Sequence, residues 1–396
     1  MIFRDISTRI QRITKQFPAV ILTGARQTGK TTLLKTTFPS HNYVSLDLPS
    51  LAEQAEKNPT EFLAAHPPPV IIDEIQYAPA IFRHIKQVVD RDRGQMGQFL
   101  LTGSQKFSLM REVSDSLAGR CVWLELETCS YQEISQSVSN FDHNDLPHLL
   151  CRGQYPELWR VRNMDKGDYY RSYVATYLER DVRQLLRVTS LRDFERFIRI
   201  LASRSGQILN KSDVAKDVGV SVKAIGSWIS VLEASNIIHL LEPFFQNFGK
   251  RIAKSPKVYF NDTGLLAFLL GISEENLINS PFLGMLWETF IFSELRKRNA
   301  IKQNPVNLWF YRDQFANEID FVLESGGTLS FMEVKWSENP GQRAMQTIKK
   351  IDGDLERSPT FRAGIHFLLS RTPACYSRPE GRVINLKALD EVFTST

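Results

Sequence analysis

Gly24, Gly29, Lys30 and Thr31 stand in the spacing of a phosphate-binding loop: glycine, four residues, glycine, lysine, hydroxyl. The loop runs Gly24-Ala25-Arg26-Gln27-Thr28-Gly29-Lys30-Thr31-Thr32, after an apolar run, Ala19 to Leu22, that reads as a strand. These residue types suit a triphosphate. Backbone N–H groups must turn inward around the phosphates, and side chains at the two glycines would obstruct that turn. The helix opening at Lys30 aims the positive end of its dipole at the anion. Lys30 offers a point charge to the β- and γ-phosphates, and Thr31 offers a hydroxyl to Mg²⁺. A chance glycine turn before a helix is the bland alternative; the strand, both glycines and the Lys-Thr pair together outweigh it.

A second strand-like run, Val70-Ile71-Ile72, ends in Asp73-Glu74 about forty residues on. In a buried parallel sheet such acids emerge at the carboxyl edge, beside the loop. Asp73 can hold Mg²⁺ directly or through water, and Glu74 can orient or deprotonate an attacking water. The strand Gln98 to Ser104 offers Ser104 as a γ-phosphate sensor, or simply a strand-to-loop turn. Arg120 closes the stretch Ser114 to Arg120, just before the strand Val122 to Leu126. It has two readings: stabilising transition-state charge, in this molecule or a neighbouring copy, or making a structural salt bridge.

Another charged group lies near the other end. Asp320 sits in the strand Glu318 to Leu323, and Glu333-Val334-Lys335 ends the strand Leu329 to Lys335. Residues i and i+2 of a strand face one side, so Glu333 and Lys335 converge. Asp320 on the neighbouring strand and Glu288 on a helix, Leu286 to Lys297, can join them. Carboxylates gathered this closely repel unless a divalent cation neutralises them, which implies Mg²⁺ at Asp320 and Glu333. Lys335 could orient a water or stabilise phosphorane charge. Ordinary salt bridging on a scaffold that cuts nothing is the other reading.

The elements between must position these groups. Residues 160 to 260 carry 18 Lys and Arg against 10 Asp and Glu, a local +8 in a chain of net charge +5. The excess suits an anionic partner such as nucleic acid, or a solvated helical surface. Apolar spacing predicts a helix over Asp168 to Val188, with Arg180 as a further phosphate sensor or a solvated arginine. A helix from Asp193 to Ser205 follows. Ala215, Gly219 and Ile225 then stand where a helix-turn-helix wants a small residue, a tight turn and a buried aliphatic. Ser221 would cap its second helix. Ile237 to Leu241 and Lys257 to Phe260 can pair as wing strands, with Lys250, Arg251, Lys254 and Lys257 on phosphates. The second helix offers only Lys223, Ser227 and Ser230 to base edges, which favours phosphate-level contact.

No apolar run approaches bilayer length, and the four cysteines form no Cys-x-x-Cys pair, so a reducing cytoplasmic setting without a membrane is expected.

GARQTGKTTL, VIIDEIQ, FLLTGSQ and SLAGR, in this order, resemble the prokaryotic AAA-type ATPases with a C-terminal domain of unknown function. YLERDV, PKVYFNDTGLL and FYRDQFANEIDFV fit the same family, so the resemblance spans nearly the whole chain. Cys129 departs from it, where members usually carry proline; that touches a turn and not the nucleotide site. The helix, three strands, helix and strand around Asp320 and Glu333-x-Lys335 resemble the PD-(D/E)xK nuclease core. The resemblance implies an α/β chain in four parts. These are an AAA-type P-loop NTPase domain with a parallel sheet (1–150), a helical lid (151–190), a winged helix-turn-helix (191–262) and a restriction-endonuclease-like α/β domain (263–396). ATP and Mg²⁺ are the expected cofactors. Nucleic acid, DNA ahead of RNA, is the expected partner, and a homo-oligomer stays open. The expected function is ATP hydrolysis controlling a nucleic-acid-binding or nuclease region. The alternative is an ATP-dependent switch that holds a protein partner.

Overall fold

The computed structural model describes residues 2–104, 116–139, 141, 145–178, 191–244, 254–355 and 360–394. The chain divides into two compact units. The first is Met1–Phe141 with Gln154–Met164 and Val231–Ile237; the second is Asp142–Gly153 with Asp165–Ser230 and Ile238–Thr396.

The first unit is built on β1 (Ala19–Thr23), β2 (Asn42–Ser45), β3 (Val70–Asp73), β4 (Phe99–Gly103) and β5 (Cys121–Glu125). Their order is β2-β3-β4-β1-β5, with every pairing parallel. A parallel strand covered on both faces needs apolar residues at consecutive positions, not alternate ones. Accordingly β1 (AVILT) and β4 (FLLTG) are buried throughout. Phe62, Phe82, Phe99, Ile81 and Ile85 fill the core around the sheet. Full burial of each such side chain contributes about 1.5–3 kcal/mol. Parallel strands also bring their carboxyl ends to one edge, so Gly24, Glu74 and Ser104, each one residue past its strand, emerge there together. The acidic stretch after β2 forms two helices, Pro49–Lys57 and Pro59–Ala65, because Pro59 cannot extend the first.

In the second unit, β6 (Gln207–Ile208), β8 (Lys257–Phe260) and β7 (Ile238–Leu241) form an antiparallel sheet in that order. Helices Leu191–Ala202, Lys211–Val218 and Val222–Ala234 accompany it. Gly219 ends the middle helix at φ 86°, a left-handed conformation that glycine adopts without a Cβ clash. Ser221 Oγ then accepts the Ala224 N–H at 3.2 Å. Trp228 packs on Phe194 and Phe197, with ring centroids 5.7 and 5.2 Å away. Of the predicted helix over Asp168 to Val188, the described part is a helix at Lys166–Tyr173 continued by a π-helical turn, Val174–Leu178, and 179–188 lie outside the described residues. Arg180, Lys250 and Arg251 lie outside the described residues.

The larger sheet of this unit comprises β9 (Asn307–Arg312), β10 (Glu318–Ser325), β11 (Thr328–Val334), β12 (Arg362–Ala363), β13 (Phe367–Leu369), β14 (Tyr376–Arg378) and β15 (Gly381–Ile384). β9, β10 and β11 pair antiparallel, while β13 joins β11 in parallel and β15 joins β13 in parallel. The long helix Leu283–Ile301 and the helix Gln346–Leu355 belong to the same unit. β10 slips register against β9 between Ile319 and Val322, a bulge that contains Asp320. Bulges bend a strand locally and re-aim a side chain.

Candidate functional site

The edge of the parallel sheet holds the phosphate-loop group. Gly24 is needed for space: a Cβ there would collide with the carbonyl of Leu126. Gly29 is needed for conformation, since it caps the helix Lys30–Thr37 at φ 89°, while an added Cβ would meet only Pro156 Cγ at an ordinary 4.0 Å. Lys30 Nζ donates to the carbonyls of Gly24 and Ala25 at 3.0 and 2.9 Å, which keeps the buried ammonium at the mouth of the loop. Thr31 Oγ1 donates to Asp73 at 2.8 Å, so the hydroxyl and carboxylate proposed to share Mg²⁺ already touch. Asp73 also accepts from Tyr43 Oη at 3.0 Å and from Thr102 Oγ1. The donor set is hard oxygen on a fixed carboxylate, which fits Mg²⁺.

Glu74 adopts a left-handed backbone, φ 55°, rare for a residue with a long side chain. Such outliers persist where surrounding structure enforces them, commonly at functional positions. Its carboxylate accepts from Gln76 Nε2 and from Ser104 Oγ, the latter at 3.3 Å. Glu74 and Ser104 therefore act as neighbours across β3 and β4. Arg120 pairs with Asp90 through two bonds, Nε to Oδ1 at 2.7 Å and Nη2 to Oδ2 at 3.0 Å. This is the geometry of the salt-bridge reading.

Arg4 carries the least anticipated contact. Its buried guanidinium donates to Glu133 Oε2 (2.9 Å), the Thr28 carbonyl of the loop (2.8 Å) and the Glu127 carbonyl (2.7 Å). Glu133 in turn completes a capping box with Ser130 on the helix Tyr131–Ser137. The loop backbone is thereby strutted by an arginine 24 residues before Thr28.

In the second unit, the β10–β11 register pairs Phe321 with Met332, and so carries Asp320 opposite Glu333. Like charges directly opposite on paired strands destabilise them. Lys335 Nζ answers, 3.0 Å from Glu333 and 3.8 Å from Asp320, and Asp320 Oδ2 also accepts the Val334 N–H at 2.9 Å. Burial first, then repulsion from Asp320, pushes the Glu333 carboxyl up to about 8, with Lys335 pulling the other way. Two opposed carboxylates fit one Mg²⁺, which typically takes one or two and completes its shell with water and phosphate. Among the described residues no three His, Cys, Asp or Glu side chains come together as a metal nest.

Glu288 stands apart from that pair in its bonding. Its Oε1 accepts from Tyr259 Oη at 2.6 Å and Lys257 Nζ at 3.2 Å. Burial raises its carboxyl to about 7 despite Lys257, and Asp320 adds to the rise. Lys257 must therefore be withdrawn from the phosphate-contact group: it is 1% exposed and its ammonium is spent on Glu288 and on Glu318, 2.6 Å away.

A pH test follows from Glu333. Its folded value near 8 lies above the ordinary 4.5, so the folded chain holds a proton that the unfolded chain releases between those values. The stabilisation present below pH 4.5 is lost as pH rises through 8. In urea titrations without divalent cation, stability should fall over this window, and Glu333→Gln should flatten the fall. An equally steep fall in the variant would count against the assignment.

Residues 16–135 match the AAA domain, 143–276 a domain of unknown function (DUF8612) and 283–389 a domain of unknown function (DUF4143). Uncharacterized proteins of Mycobacterium tuberculosis and Mycobacterium bovis are each 30% identical over 394 residues, covering 98% of this chain and 86% of theirs. The chain belongs to the AAA-type ATPases that carry a C-terminal DUF4143 domain. Among solved structures, the Thermotoga maritima RuvB Holliday junction branch migration motor aligns at 13% identity and TM-score 0.30, over 60% of this chain and 89% of that one. The S. cerevisiae Hsp104–ADP complex aligns at 13% and 0.28, over 75% and 43%.

For an AAA-type ATPase, the phosphate loop, Asp73 and Glu74 were all visible in sequence. Arg4, Tyr43, Thr102 and Gln76 were not. The only advance signal for them was position: Thr102 and Gln76 flank strand ends at the sheet's carboxyl edge. In the second unit the unforeseen residues were Lys257, Tyr259 and Glu318. The spacing of Lys257 and Tyr259, i and i+2 on one strand, was the signal that could have found them.

Proposed function

We propose that Mg²⁺-dependent ATP hydrolysis at Lys30, Thr31, Asp73 and Glu74 controls a C-terminal region that binds nucleic acid and cuts phosphodiester bonds at Asp320, Glu333 and Lys335. The observation that carries the second half is the opposition of Asp320 and Glu333 across β10 and β11, with Lys335 Nζ 3.0 Å from Glu333. Mg²⁺ held there would neutralise both carboxylates and polarise the scissile phosphate. Lys335, with 44% of its side chain exposed, can turn to orient a water or to take up charge on the phosphorane. Ser104 and Arg120 are proposed as sensors of the γ-phosphate, Arg120 only if a nucleotide or a second copy draws it from Asp90.

Nucleic-acid contact is proposed at the level of phosphates, through a winged-helix arrangement of the helices Lys211–Val218 and Val222–Ala234 with β7 and β8. Two observations support phosphate contact over base reading. Lys254 is exposed, whereas Ser227 and Ser230 turn their hydroxyls back to the carbonyls of Lys223 and Gly226 at 3.1 Å. A second reading is an ATP-driven switch that holds a protein partner and cuts nothing. It is favoured by the lysine beside each acid pair, which gives a network able to stand without metal. The deciding experiment incubates the pure chain with supercoiled and single-stranded DNA, with and without ATP and Mg²⁺. Nicking that vanishes in Glu333→Ala and Lys335→Ala supports the nuclease. No cutting by the unaltered chain under any of these conditions supports the switch.

A further inference from the structure

We infer that Lys257 is a resident counter-ion standing where a second divalent cation would otherwise sit, so that this site takes a single metal ion, between Asp320 and Glu333. The inference rests on the metal-site reading above and specifies its stoichiometry. Glu318 and Asp320 are two residues apart on β10, Glu333 faces Asp320 from β11, and Glu288 arrives from the helix Leu283–Ile301. Asp320 and Glu288 lie within electrostatic reach of one another and of Glu333, which calls for compensating positive charge. Lys257 supplies it to the inner pair, with Nζ 2.6 Å from Glu318 Oε1 and 3.2 Å from Glu288 Oε1.

The inner pair is closed to a metal in several ways. Arg312 Nη1 takes the second oxygen of Glu318 at 3.0 Å, so both of its oxygens are engaged. Tyr259, two residues along β8 from Lys257, donates to the same oxygen of Glu288 at 2.6 Å. One face of one strand thus offers an ammonium and a hydroxyl that together fix Glu288. Lys257 is 1% exposed and its ammonium lies 5.4 Å from the Phe310 ring centroid. A cation entering here would have to expel a buried ammonium or lie against it, with little water to screen the repulsion. The outer pair differs. Its lysine, Lys335, is 44% exposed on a flexible stem and can swing aside to admit a metal ion.

The test locates and counts Mn²⁺. Crystals of the full chain grown with Mn²⁺ and no nucleotide should show one anomalous peak at Asp320 and Glu333. Lys257→Met, which keeps the length and loses the charge, should show a second peak between Glu288 and Glu318. In calorimetric titration, Glu288→Gln should change the Mn²⁺ Kd at the outer pair by less than about threefold, whereas loss of a true ligand or its support costs about tenfold or more. Two peaks among Glu288, Glu318, Asp320 and Glu333 in the unaltered chain, a single peak there in Lys257→Met, or a tenfold loss in Glu288→Gln would each overturn the role of Lys257. If Lys257→Met does not fold, the unaltered chain and Glu288→Gln still decide. No peak at Asp320 and Glu333 in the unaltered chain would instead remove the metal-site reading itself.

Discussion

Glu74→Gln should bind ATP as tightly as the unaltered chain and fail to turn it over. Glutamine keeps the size and the hydrogen-bonding reach toward Gln76 and Ser104, so the local structure around the left-handed Glu74 backbone should survive. What it loses is a carboxylate able to orient or deprotonate the attacking water. General-base contributions of this kind are worth roughly 10²–10⁴ in rate. Phosphate release should fall by about that factor, with ATP retained on the protein in a filter-binding assay. Hydrolysis at the unaltered rate would show that another group positions the water.

Lys30→Ala is expected to do the reverse and act on binding first. The ammonium is buried at the loop mouth, held by the Gly24 and Ala25 carbonyls at 3.0 and 2.9 Å, where a phosphate would compete for its protons. A hydrogen bond to a charged group is worth about 1.5–3 kcal/mol net, or roughly 10- to 150-fold in Kd. Turnover should drop further, because charge developing in the transition state loses the same partner. Fluorescent-nucleotide titration separates the two effects. An unchanged Kd in Lys30→Ala would mean that the loop does not grip phosphates through this residue.

The contrast between what could and could not be read from sequence has a physical cause. A phosphate loop compresses its chemistry into nine contiguous residues, because the backbone itself is the receptor; so do Asp73 and Glu74 at a strand end. Asp320, Glu333 and Lys335 were readable because the two-residue period of a strand fixes which heads converge. Lys257 was misread as a phosphate contact because its near neighbours in sequence, Arg251 and Lys254, are basic. Its partners Glu288 and Glu318 lie 31 and 61 residues away in sequence, and only the fold brings them to it. Arg120 met Asp90 for the same kind of reason, across thirty residues.

The contact between Arg4 and the Thr28 carbonyl makes the nucleotide site sensitive to trimming far from it. Clipping the first five residues would remove no phosphate ligand, yet it would leave Glu133 without its buried cation and the loop without its brace. Losing one partner of a buried ion pair costs about 3–5 kcal/mol. The shape of the phosphate loop thus depends on a side chain that would touch no phosphate.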